Sequence, residues 1–134
     1  MTKQEKKKLS LKELIENKEK FDRKGKGKKR QELYLEELDA TIVIEEADTT
    51  IITEAQGIDE DGNSESSGND YIAYNVIVDP NLKDPELQKA YGCVEPIDIV
   101  KKLFGPGTTY NIATASADLG GFNHKVTPVE KLKN

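Results

Sequence analysis

Residues 32–46, ELYLEELDATIVIEE, decide the fold class. Leu33 and Leu35 alternate with glutamates, Leu38 follows, and Ile42 and Ile44 alternate with Thr41, Val43 and Glu45. This is a period of two on either side of Asp39 and Ala40. A strand turns successive side chains to opposite faces, so the stretch predicts a β-hairpin with one apolar side. The sequence after it has mostly helical grammar. The expected class is therefore α+β, mainly short helices packed with an N-terminal hairpin, in a single domain.

Upstream, Ser10 and Glu13 form an S-x-x-E capping box, with Leu9 and Leu14 at the positions of a hydrophobic staple. Leu11, Leu14, Ile15 and Phe21 then recur on one helical face, which predicts an amphipathic docking helix that frays by Gly25. Downstream, Asp48 is placed to cap a short helix through Ile51, Ile52 and Ala55, with Gly57 as its end. From Gly57 to Asp70 only Ile58 is apolar, so a mobile acidic loop is expected over 57–70. Residues 71–78 fit either state. Their β-branched side chains suit a strand, whereas Asn69 or Asp70 as cap and Asp79-Pro80 as stop suit a helix; helix is preferred because it links two helical blocks.

The clearest signals follow. Asp84 is an N-cap, Pro85 fits the first helical position, Glu86 complements the helix dipole, and Gly92 closes the turn after Tyr91. Glu95-Pro96 starts another helix carrying Ile97, Val100, Leu103 and Phe104 on one face, broken by Gly105-Pro106-Gly107. Thr108 or Thr109 then caps a third, through Ile112, Ala115 or Ser116, and Leu119 to Gly120-Gly121. Thr127, Pro128 and Glu130 form one more capping box near Asn134. The expected organisation is an amphipathic helix with a basic flexible linker over 1–30, a folded core over 31–122, and a tail over 123–134 with an incipient helix.

With 134 residues, 35% of them hydrophobic and 34% charged, the chain has room for one small core. Leu, Ile, Val and Phe still make up about a quarter of it, above the ~20% below which charged chains stay disordered. The net charge of −5 hides a polarity. Residues 1–30 carry 13 basic and 5 acidic groups, and residues 31–134 carry 7 and 20; between Arg30 and Lys83 there are 14 carboxylates and no Lys or Arg. Such a surface steers a partner or a neighbouring copy by opposite charge.

Little chemistry is encoded. One cysteine, Cys93, excludes an internal disulfide, and one histidine, His124, excludes multi-histidine metal sites. Around the pair no nucleophile elbow or thiol-protease pattern occurs. Asp59, Asp61, Asn63 and Asp70 have the one-three-five-twelve spacing of an EF-hand loop. Position six, however, is Ser64 where the turn needs Gly, and position twelve is Asp where Glu is usual; a solvated loop is the plainer alternative. The basic run from Arg23 to Arg30 could neutralise phosphates, but only Phe21 lies near it for stacking, and Gly25-Lys26-Gly27-Lys28 lacks P-loop spacing. The five tyrosines suit half-buried positions with a wet tip. No catalytic, cofactor-binding or metal residues are therefore expected. Met1 to Ser10 has no apolar run of signal-peptide length, and nowhere are 18 consecutive residues apolar, so secretion and membrane spanning are not expected.

The stretch Asp79-Pro80-Asn81-Leu82-Lys83-Asp84, then Glu86-Leu87-Gln88 through Tyr91-Gly92-Cys93, Pro96 to Val100, Phe104-Gly105-Pro106-Gly107 and Leu119-Gly120-Gly121-Phe122 resembles the XkdN-like phage tail assembly chaperones. The helix and hairpin ahead of it come in the same order as in that family, while the 57–70 loop and the length of the 23–30 basic run look like local elaborations. The resemblance implies a non-enzymatic phage or prophage protein that holds the tape measure protein, a long helical and aggregation-prone chain, and helps bring tail tube subunits to it. It implies action in the host cytoplasm and absence from the finished virion. It also implies a possible partner in a longer, frameshifted form of the chain itself, since Leu132-Lys133-Asn134 can be encoded as TTA AAA AAC. An interrupted heptamer in the gene, or a stop soon after it in every shifted frame, removes that expectation. The rival from another class is a small nucleic-acid-binding phage protein acting through residues 18–30.

Overall fold

The hairpin forms where its alternation places it. Strand β1 (Arg30–Leu35) pairs antiparallel with β2 (Ala40–Glu45), Leu33 facing Ile42 and Leu35 facing Ala40. Leu35, Ile42 and Ile44 are buried, and Leu33 is half-buried against the same core. Leu38 belongs to neither strand: it sits in the turn 36–39 and is 44% exposed. A third strand, β3 (Ile77–Asp79), pairs antiparallel on the other side of β2, with a register shift at Val43/Ile44, giving the order β1-β2-β3.

The computed structural model describes residues 6–62 and 65–132. They divide into two units, residues 29–123 and a second formed by residues up to 28 together with those from 124 onward. The division falls two residues before the expected end of the linker, because Lys29 already joins the sheet. Its N–H donates to Glu46 (2.8 Å), its carbonyl accepts from the Glu46 N–H (2.9 Å), and Arg30 bonds Glu45.

The unit 29–123 is α+β and holds the buried apolar cluster of the described residues. Its helices are α3 (Thr49–Asp61), α4 (Gly68–Val76), α5 (Pro85–Ala90), α6 (Asp98–Leu103) and α7 (Pro106–Leu119). Asp48 caps α3 as expected, accepting from the Ile51 N–H at 2.9 Å. The helix then runs past Gly57 and ends at Gly62, which takes the left-handed φ of 69° that glycine tolerates. The loop expected over 57–70 is accordingly shortened from both sides, since 57–61 belong to α3 and 68–70 to α4; Asn63 and Ser64 lie outside the described residues. Gly57 has open space around its Cα. Gly57→Ala is expected to stabilise the chain by about 0.5–1 kcal/mol, read as a higher melting temperature, because glycine is costly inside a helix.

Residues 71–78 are helical through Val76 and then turn directly into β3. The cap is Ser67, ahead of the expected Asn69 or Asp70: Ser67 and Asp70 form a reciprocal capping box. Asp84 caps α5 through the N–H groups of Glu86 and Leu87, with Pro85 at the first position. Helix α6 starts at Asp98, three residues later than expected, and Asp98 closes the preceding turn by accepting from Val94 and Glu95. Its two fully buried residues are Ile99 and Val100. Helix α7 begins at Pro106 with Gly105 as N-cap, so Gly105-Pro106-Gly107 initiates a helix as well as ending one, and Thr108 and Thr109 lie within its first turn.

In the other unit, α1 (Leu11–Glu16) and α2 (Lys18–Phe21) meet at Asn17. Ser10 accepts from the Glu13 N–H at 3.2 Å, half of the expected box, and its hydroxyl also bonds the Glu13 side chain. The Lys7 ammonium pairs with Glu13 and holds its carboxyl below the usual range. Lys24–Lys26 form a 3-10 turn, and Val129–Leu132 another where the terminal helix is expected. Lys133 and Asn134 lie outside the described residues.

Candidate protein-interaction surface

The hairpin turn is held by side-chain hydrogen bonds within it and to α7. Asp39 takes a φ of 50°, unusual for a non-glycine residue, and accepts from the Tyr34 hydroxyl at 2.6 Å. That bond pushes the Tyr34 phenol above its ordinary value. Glu37 reaches across to α7, where both carboxylate oxygens accept from the Gly105 N–H at 3.1 Å and Thr108 donates as well. Gly105 has no side chain to cap its own helix, so a carboxylate 68 residues away in sequence supplies the negative charge at that N-terminus.

The Thr108 and Gly105 donors hold the Glu37 carboxyl below the usual range. A depressed folded-state pKa stabilises the native state above the ordinary carboxylate value, and this stability is lost as pH falls through the folded value. Glu37→Gln is therefore expected to lower the melting temperature most near neutral pH, with the gap to the parent chain closing in acid. A gap that does not change with pH would show that the charge of Glu37 contributes nothing.

Two hollows flank Leu35, which lines both. The first, about 280 Å³, lies between β1 and α7 and is mixed in character, with Tyr34, Glu36, Glu37 and Asn111 beside Leu33 and Ile112. The second, about 240 Å³, lies between the hairpin turn, β3 and helices α5 and α6, and Leu38, Ile42, Leu82, Leu87, Leu103 and Phe104 dominate it. A third hollow, about 390 Å³, surrounds Asp70 and Lys101, whose charged atoms are 3.8 Å apart.

Two of the residues with EF-hand spacing, Asp59 and Asp70, have structural work. Asp59 and Asp61 lie on α3, so they cannot be successive ligands of one loop. Asp59 accepts from the Gly68 N–H at 2.7 Å and Asp70 from the Ser67 N–H at 3.0 Å, so both carboxylates serve the start of α4. Lys101 also donates to the Glu65 carbonyl. Among the described residues no three His, Cys, Asp or Glu side chains are placed to hold a metal ion. Cys93 is half-buried at the core edge, and exposed His124 belongs to the other unit. Tyr71 and Tyr74 are half-buried as expected, whereas Tyr34, Tyr91 and Tyr110 are exposed. Tyr71 donates to Glu54, which raises its phenol, and burial raises that of Tyr74.

The single amphipathic helix expected here is broken at Asn17, which divides its apolar residues between α1 and α2, and none of them is buried: Leu11 is 74% exposed, and Leu14, Ile15 and Phe21 are exposed too. Lys20 lies 5.3 Å over the Phe21 ring. Of the basic run, residues 24–26 form the 3-10 turn and Lys29 and Arg30 are tied to the sheet. The described residues offer apolar concavities, exposed apolar side chains on α1 and α2, and an uneven distribution of charge.

The family of phage XkdN-like tail assembly chaperone proteins matches residues 50–133. The chain belongs to that family. No curated protein and no solved structure matches it significantly. The matched part of this tail assembly chaperone starts within α3 and takes in every later helix, including the stretch 79–122 that carries the resemblance in sequence. The hairpin precedes it, so each of the two hollows beside Leu35 joins a wall from the matched part to a wall contributed by residues 33–42. Among the described residues of the chaperone no helix is long and apolar enough to cross a membrane.

Proposed function

We propose that this tail assembly chaperone binds the tape measure protein, keeps it soluble, and helps bring tail tube subunits to it. It acts by covering apolar surface, with no covalent step, in the host cytoplasm, and it leaves before the virion is finished. Membership of the tail chaperone family is the observation that carries this reading. The hollows support it, because an amphipathic helix laid in an apolar groove is a common way for one chain to shield another. A longer frameshifted form containing the same residues would present the same hollows.

Co-expression with the tape measure protein of the same phage tests the proposal. The tape measure protein is expected in the soluble fraction and in complex with the chaperone when both are made, and in the pellet when it is made alone. A nucleic-acid role through residues 18–30 instead requires tight binding of a labelled duplex or single strand that weakens steeply between ~50 and ~200 mM salt.

A further inference from the structure

We propose that the hollow beside the hairpin turn is a socket for one or two large apolar side chains of a lysine- or arginine-rich amphipathic helix. The inference rests on the chaperone function proposed above and adds a place and a charge sign to it. The walls are apolar from the sheet side (Leu35, Ile42, Ile77) and from the helical side (Leu82, Leu87, Phe104), and Thr41 is the one polar residue in the lining. A small metabolite needs convergent polar groups to orient it and a cleft of about 300–1,000 Å³. This hollow is about 240 Å³ and has no such groups, so its size and chemistry suit side chains. Leu38, 44% exposed in the turn, is the large apolar residue of the lining that is exposed to an incoming helix.

The charge around the socket selects the partner. The chain segments that border it, 36–42, 77–87 and 101–104, contain Glu36, Glu37, Asp39, Asp79, Asp84 and Glu86 against the ammonium groups of Lys83, Lys101 and Lys102. Of these, Lys83 lies 5.1 Å over the Tyr74 ring and Lys101 is 3.8 Å from Asp70, on the other side of α6. The whole unit 29–123 has 19 carboxylates and 6 Lys or Arg. An apolar seat set in such a field attracts a helix whose flanks are basic and repels one whose flanks are acidic.

The test uses the full chain and two fluorescein-labelled synthetic helices of one apolar pattern, one built of leucine and lysine and the other of leucine and glutamate. Anisotropy is expected to show binding of the lysine peptide and none of the glutamate peptide. Leu38→Ala and Leu38→Asp should each weaken the lysine peptide by about tenfold or more, although the second adds a favourable charge. Val94→Asp, at a 93% exposed site outside the socket, should bind like the parent chain. Leu38 is exposed enough for both variants to fold, which melting curves check. Equal binding by the Leu38 variants and the parent, equal binding of the two peptides, or self-association of the chain that Leu38→Ala abolishes would each overturn the proposal, the last in favour of a second copy as occupant. Co-expression separates the two levels. If Leu38→Asp holds the tape measure protein as well as the parent does, the socket is wrong and the chaperone function stands. If the parent itself does not hold it, the function falls and the socket loses its client.

Discussion

Ile44→Ala is expected to cost about 2–5 kcal/mol, the range for truncating a buried isoleucine when the surroundings relax only partly. Ile44 is fully buried at the centre of the sheet, opposite Gln31 of β1 and Ile77 of β3. No other strand of the sheet has a strand partner on both sides, so a cavity there loosens the hairpin and β3 together. Chemical denaturation should show a lower midpoint with an unchanged slope. A loss under ~1 kcal/mol would mean that the sheet face does not pack against the helices as described.

Gly120→Ala is expected to cost about 1–3 kcal/mol. A Cβ on Gly120 would stand 2.6 Å from the Ala47 carbonyl oxygen, and both are backbone positions with little freedom to retreat. The same contact region holds the Ala47 N–H to Ser116 carbonyl bond (3.1 Å) that ties the end of α7 to the chain leaving β2. The φ at Gly120 is −79°, so the cost arises from contact and not from backbone strain. Paired with Gly57→Ala, the substitution gives effects of opposite sign from the same chemical change. Equal effects at the two sites would contradict the packing of α7 on residues 46–47.

What was legible in the sequence was local. The period of two around Asp39 places the hairpin because a strand repeats every second residue whatever it packs on. Asp48 and Asp84-Pro85 place two helix starts because a cap acts on N–H groups only two or three residues away. What was missed depends on distant partners. Helix α3 continues past Gly57 to a point where Asp59 can accept from Gly68, and the two helices approach so closely that a Cβ at Gly68 would lie 2.6 Å from the Ala55 carbonyl oxygen. Helix α7 starts at Pro106 with its charge compensation supplied by Glu37. Two signals were available: Ser67-x-x-Asp70 has the spacing of a capping box, and Pro106 fits a first helical position.

The interaction surface was less readable than the fold. Leu38 continues the apolar series of the hairpin, and only the turn geometry removes it from the strand and sets it at the edge of a hollow. That hollow needs Leu82 and Leu87 from around α5 and Phe104 after α6, more than forty residues further along the chain, and no local pattern reports such a meeting. The amphipathic stripe on α1 and α2 was visible from its spacing, and its exposure was not.

Shielding of exposed apolar surface on another chain is tested most directly by diluting denatured tape measure protein into buffer and following light scattering. With this chain present at equal molar concentration, scattering should stay low and the two proteins should elute together in size-exclusion chromatography. Unchanged scattering in the presence of an excess of the chain, with no shared elution peak, would contradict the proposed chaperone function.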